Sequence, residues 1–172
     1  MSSRLARSRA GNAVIPPSDR IAMEISAGGR LPLIAESFAR LAGEPLVEIV
    51  PAGFGQAMWE APHVIVAYGT EPEPRLFYGN RIALELLAMS AVEFIGRAAR
   101  ITSEPPLREE RSRIVSNLAR HDIADIYGVV GIAANGRRYA ISEAKVWNLV
   151  DRHGGRHGMG ATYAAWQFLD RI

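Results

Sequence analysis

IYGVVGIAANGRRYAISEAKVWNLVD, residues 126–151, decides the fold class. Asn135–Gly136 stands between two runs rich in Val, Ile and Tyr, and an Asn-Gly pair so placed is the strongest short-range hairpin signal. Two long antiparallel strands are therefore expected here. The Gly/His-rich turn HGGRHG (153–158) reverses the chain again, and a third strand is expected from about Met159 to Leu169. The side-chain parity of this meander leaves two alternatives. Tyr139, Ile141, Trp147 and Leu149 share one face of a regular strand, yet Glu143 and Lys145 fall on that same face. Either a bulge near Ser142 to Ala144 flips the facing, or an ion pair sits at the sheet edge.

Working towards the N-terminus, Leu107, Ile114, Val115 and Leu118 predict a helix from Pro106 to His121, with Glu109 and Arg113 paired on its exposed side. Before it come two short helices. Asn80 caps the first, which starts at Arg81, and Ser90 with Glu93 has the spacing of a capping box that restarts the second before Gly96. HVIVAY (63–68), bounded by Pro62 and Gly69, predicts a buried strand. Its hairpin partner is expected at Arg75 to Tyr78, across the corner made by EPEP. Further upstream, Leu33, Ile34, Ser37, Phe38 and Leu41 share one face of a helix over about 31–42 that Gly43 stops. Antiparallel strands with helices inserted between them define an α+β layer rather than a parallel α/β fold.

The first 20 residues are Arg/Ser-rich and poor in acid, and are expected to form a flexible tail. A helical lead-in (21–55) and one folded domain (56–172) follow. With 172 residues, 48% of them apolar, the chain suits a single core. It has no cysteine, which excludes disulfides, thiolate nucleophiles and cysteine-held metals. A formal charge of +2, with the basic residues scattered, gives no basic surface for nucleic acid. No apolar run approaches the length of a membrane span, so neither nucleic acid nor membrane is expected as a partner, and a cytoplasmic location is expected.

FYGNRIALELLAMSAVEFIG, the loop and helix start ITSEPPLREERSRIV, and the meander through VWNLVDRHGGRHGMGATYAAW together resemble the MEKHLA family, a PAS-related domain. The resemblance covers about residues 56–168. The SEP-P-REER and GRR-Y…VWN…D-G…G-A patterns carry most of it, and RLPLIAESFARLAGEPLV resembles the helical lead-in of bacterial stand-alone members. One departure is visible: Ala67 and Tyr68 stand where a Ser-His pair is expected. The resemblance implies a five-stranded antiparallel PAS-like sheet with helices on one face and an N-terminal helical extension. It also implies a pocket between that sheet and the helices from Arg81 to His121. Tyr78, Asn80, Tyr127, Tyr139 and Trp147 are the candidate lining residues, with Arg111 a candidate guard. The implied function is a sensor that binds a small molecule or cue and signals through protein contacts, as a homodimer or with a partner. The helix over 31–42 is the expected contact surface.

Rival chemistries have residue-level candidates. His121 with Asp122 and Asp125 supplies acid–base groups for a small α+β enzyme, and His121 is also placed to ligate haem. Asp151, His153 and His157 have metal-ligating character within a glycine-rich turn. A filled core would instead make the chain a pure interaction module. The REER run is expected to be mostly a solvated helix face, the alternative being that it fixes the preceding SEPP loop through Glu104. No cofactor is specified by the residues, and the absence of cysteine excludes flavin photochemistry through a cysteinyl adduct and a thioester-held chromophore.

Overall fold

A computed structural model describes residues 14–169. The strands β1 (Val64–Tyr68), β2 (Leu76–Gly79), β3 (Ile123–Ile132), β4 (Arg138–Val150) and β5 (Arg156–Tyr163) form one antiparallel sheet in the order β2-β1-β5-β4-β3. A two-residue strand, β6 (Gln167–Phe168), adds a short pairing to β4. The five expected strands are all present, and the central position of β5 brings the first hairpin and the terminal meander into one sheet.

Cross-strand rows fix which residues share a face. Ala67, Gly160, Trp147 and Ile123 are in register across β1, β5, β4 and β3, with Tyr78 beyond Ala67 on β2. The neighbouring row is Val66, Ala161, Val146 and Ala124, and it projects to the opposite face.

The first face is covered by the N-terminal extension. Helices α1 (Pro17–Ala27) and α2 (Arg30–Ala42) lie on β2 and β4, and Phe38 meets Trp147 edge-on with ring centroids 4.8 Å apart. Part of the expected tail is therefore structured. Pro17 opens α1 at a position whose amide needs no helical partner, and buried Asp19 accepts from the Ala91 amide at 3.0 Å. Residues 1–13 of that tail lie outside the described residues.

The second face is roofed by the helices between β2 and β3. After α3 (Phe54–Glu60), which precedes β1, come α4 (Arg81–Leu87), α5 (Ala91–Phe94), a 3-10 turn (Ala99–Thr102) and α6 (Arg108–His121). Asn80 and Ser90 cap α4 and α5 as expected, accepting from Ala83 and Glu93. Ile114 of α6 joins Ala124 and Val146 in a small buried cluster. Phe94 fills the space of the side chain that Gly79 lacks, so the close approach of α5 to β2 requires a glycine.

The parity conflict in β4 is resolved by a flip in two strands at once. Tyr139, Ile141, Ala144 and Val146 all face the helical roof, as do Ile126, Val129 and Gly131 on β3. Each strand therefore turns two successive residues outward, Ser142–Glu143 on β4 and Tyr127–Gly128 on β3. Gly128 has φ +68°, which a glycine adopts freely. Because both strands shift together, Tyr127 still pairs with Glu143 and Val129 with Ile141. Lys145 pairs across the strands with Asp125 at 2.7 Å, not with Glu143.

Candidate functional site: a tyrosine-lined cavity under the helical roof

Between the roofed face of the sheet and the 3-10 turn lies a cavity of about 330 Å³. Its walls are Val66, Leu76, Leu87, Ile126, Val129, Ile141, Ala144, Val146 and Ala161, with Pro74, Ala99, Arg100, Thr102 and Ser103 on the side of the turn. Three tyrosines complete it: Tyr68, Tyr139 and Tyr163. The hydroxyls of Tyr139 and Tyr163 are 3.1 Å apart and share a hydrogen bond. Tyr68 directs its hydroxyl to Met159 Sδ at 3.7 Å.

Burial keeps all three phenols protonated far above neutral pH. It pushes Tyr68 up to about 12, and it raises Tyr163 well above the ordinary tyrosine value, with Tyr139 adding to the effect. Tyr139 is also raised by burial, an effect its bond to Tyr163 partly offsets. Arg100 is the only charged side chain in the lining. It stands three-quarters exposed and pairs with Glu73 of the β1–β2 loop at 2.6 Å.

Of the six candidate residues, the structure brings Tyr139 alone to this cavity. The Tyr139 ring lies over Gly131, its cross-strand partner, where no larger residue fits. Tyr78 and Trp147 are fully buried on the opposite face, beneath α1 and α2. The bulge where Tyr68 pairs with Leu76 places Tyr78 there, and the β4 flip does the same for Trp147. Asn80 is fully buried and saturated: its carbonyl oxygen accepts from Ile65 and Ala83, and its amide donates to the Met58 and His63 carbonyls. Tyr127 is 55% exposed beside α6, near Arg113, and Arg111 is exposed away from the cavity.

The two tyrosines that were not candidates have signals in the sequence. Tyr68 is the residue at which the chain departs from the Ser-His pattern of its resemblance. Tyr163 has the same parity as Met159 and Ala161 along the last long strand, which sets the three on one face. Tyr163 also touches the C-terminal hook, where Trp166 meets it edge-on at 6.1 Å and Phe168 meets Tyr139 at 6.2 Å.

The rival clusters are taken up by structural contacts. The Asp122 carboxylate is held by Asn148 at 2.8 Å, and Asp125 by Lys145. Asp151 accepts from the His153 and Gly155 amides and contacts His157 Nε2 at 2.7 Å, which ties the glycine-rich turn together. Among the described residues, no group of three His, Asp or Glu side chains is placed to hold a metal ion.

The REER run is more than a solvated face. Arg113 donates to the Asp125 carbonyl at 2.6 Å and pairs with Glu110, while Glu110 accepts from the Tyr127 amide. These two side chains cover polar backbone groups on the outer edge of β3, and the Ser103–Glu104 segment covers that edge next to them. Glu104 itself is paired with Arg138 at 2.6 Å, not with the REER helix.

An antiparallel sheet in the order 2-1-5-4-3, with short helices roofing a cavity on one face, defines the PAS class of sensory fold. Two solved structures agree. A light-oxygen-voltage domain studied with a flavin analogue matches at 15% identity and TM-score 0.53, covering 67% of this chain and 84% of its own. The PAS domain of a protein from Colwellia psychrerythraea matches at 15% identity and TM-score 0.50, covering 62% and 87%. No curated protein matches the chain. The MEKHLA domain model matches residues 30–168, and the chain belongs to the MEKHLA family. That match includes α2, so the family's sequence extends over the helix that covers Trp147.

Proposed function

We propose that this chain is a PAS-type sensor that binds a small molecule in the roofed cavity and reports occupancy through contact with a second protein chain. The observation that carries the proposal is the cavity itself. A volume of about 330 Å³ falls within the range of small-molecule sites, and its mainly apolar wall with a few converging hydroxyls has the usual composition of such sites. Larger hollows, of about 430 and 510 Å³ around Glu44–Leu46 and of about 510 Å³ between the α1–α2 turn and Asp151, are surface grooves with ion-paired or loop-borne walls. They offer less pre-organised enclosure.

A flavin, the group whose analogue was studied in the light-oxygen-voltage neighbour, does not fit this wall. No cysteine is present for an adduct, and no amide side chain lines the cavity to read a flavin's polar edge. The lining also lacks His, Asp, Glu and Lys, so the acid–base reading gains no support there.

For the output, the apolar stripe of α2 is spent on the sheet, with Ile34 and Phe38 buried. Ile21 and Ile25, one turn apart on α1 and 60% and 76% exposed, form an apolar pair on one helix face that is open to another chain. Native mass spectrometry of the freshly purified protein, with cell extract added back, tests the binding. A non-covalent adduct of small mass is expected, lost in Ala161→Phe and in Ala144→Leu, which fill the cavity from two strands. No adduct, or one that persists in both folded variants, removes the proposal. Light scattering of Ile21→Lys/Ile25→Lys against the parent tests the contact surface: an unchanged mass and unchanged partner capture place the contact elsewhere.

A further inference from the structure

We propose that the cavity selects a neutral, compact, mainly apolar molecule bearing one hydroxyl or carbonyl group, and that the Tyr139–Tyr163 hydroxyl pair recognises that group. This selection rests on the cavity being a binding site and adds the chemistry of what enters it. Size sets the first limit. A volume of about 330 Å³ lies at the lower end of the range of small-molecule sites, so a compact ligand suits it.

Charge sets the second limit. Beyond Arg100, which is exposed and already neutralised by Glu73, no charged side chain lines the space. An ionised group carried inside would lose its hydration with no counter-charge in return. The cavity therefore discriminates against ions.

The third limit comes from counting hydrogen-bond groups. Two hydroxyls 3.1 Å apart use one proton on each other. That leaves one phenolic proton and the remaining lone pairs, so the pair offers one donor and acceptor positions side by side. A hydroxyl or carbonyl satisfies this arrangement. A purely hydrocarbon ligand leaves it unpaired and shuts out the water that would otherwise satisfy it. The position of the pair adds a consequence: Tyr139 and Tyr163 touch Phe168 and Trp166, so a group placed here is one side chain away from the C-terminal hook.

The test uses the full chain and three probes of one shape: 2-naphthol, naphthalene and 2-naphthoate at pH 7, measured by isothermal titration or ligand-observed NMR. Binding of 2-naphthol is expected to be about tenfold tighter than that of naphthalene, the worth of one buried hydrogen bond. 2-Naphthoate is expected to bind weaker than either. In Tyr139→Phe and Tyr163→Phe, which keep the rings, the preference for 2-naphthol should shrink towards unity while naphthalene still binds. Tightest binding by 2-naphthoate, or a preference for 2-naphthol that survives in both variants, overturns the selection rule and leaves the cavity as a binding site. Failure of all three probes to bind, naphthalene included, removes the binding site and the selection rule together.

Discussion

The indole of Trp147 occupies the space of the side chain that Gly160 lacks, and a Cβ on Gly160 would come within 2.5 Å of the indole Cζ2. The two residues are cross-strand partners on β4 and β5, and Phe38 of α2 closes over the same ring. Three segments distant in sequence thus meet at a point where nothing can be added. Gly160→Ala is expected to destabilise the fold by about 1–3 kcal/mol, the usual cost of overpacking a core. A thermal melt checks this: an unchanged melting temperature would mean that the indole moves aside freely.

Asn80 presents a different kind of intolerance, because its four hydrogen bonds tie the start of β1 to α3 and α4. Asn80→Ala strands buried backbone donors and acceptors and is expected to cost about 2–5 kcal/mol. Asn80→Asp keeps the acceptor and loses the donors, so it should rescue little. Urea denaturation distinguishes these outcomes. If Asn80→Asp recovers the parent midpoint, the amide bonds to Met58 and His63 are dispensable.

The Glu110–Arg113 pair predicts a local effect rather than a global one. Arg113→Ala frees the Asp125 carbonyl and Glu110→Gln weakens the hold on the Tyr127 amide, both on an edge where unpaired groups invite strand addition. Faster hydrogen exchange at Tyr127 is expected in each variant, with concentration-dependent association in the double variant. Exchange at Tyr127 equal to that of the parent would show that α6 protects the edge without these side chains.

Asp151 sets a pH dependence. Its contact with His157, and the amides of Gly155 and His153, hold its carboxyl down at about 2, below the ordinary aspartate value of 3.8. A depressed carboxyl contributes stability that is complete above the unfolded value and fades as pH falls through the folded one. The turn at 151–155 should therefore remain formed at pH 4 and open only towards pH 2. Amide chemical shifts of His153 and Gly155, followed by NMR over that range, check the window. A midpoint near 3.8 would show that the turn does not hold the carboxylate.

Local features of the fold are legible in the sequence because local chemistry specifies them. Asn135–Gly136 marks its hairpin, Asn80 and Ser90 mark helix starts, and Gly43 marks a stop. The cavity is less legible. Sequence reasoning reaches Tyr139 but puts Tyr78 and Trp147 on the wrong face, since a single bulge or flip reverses every side chain beyond it. Tyr163 belongs to the cavity through a sheet order that sets β5 between β1 and β4, a long-range fact no local pattern encodes. The start of α1 escapes notice because its polar opening resembles a tail, and its hold on the domain, Asp19 to the Ala91 amide, spans 72 positions.

The double flip at Gly128 and Ser142 constrains how this hairpin can change in length. Removing one residue from β3 alone would turn either Ile126 or Val129 out of the core while β4 stayed as it is, and the converse holds for β4. Excising Gly128 and Ser142 together would restore plain alternation in both strands and keep every roofed residue where it belongs. Insertions and deletions in this family should therefore occur at these two positions as matched pairs, one in each strand.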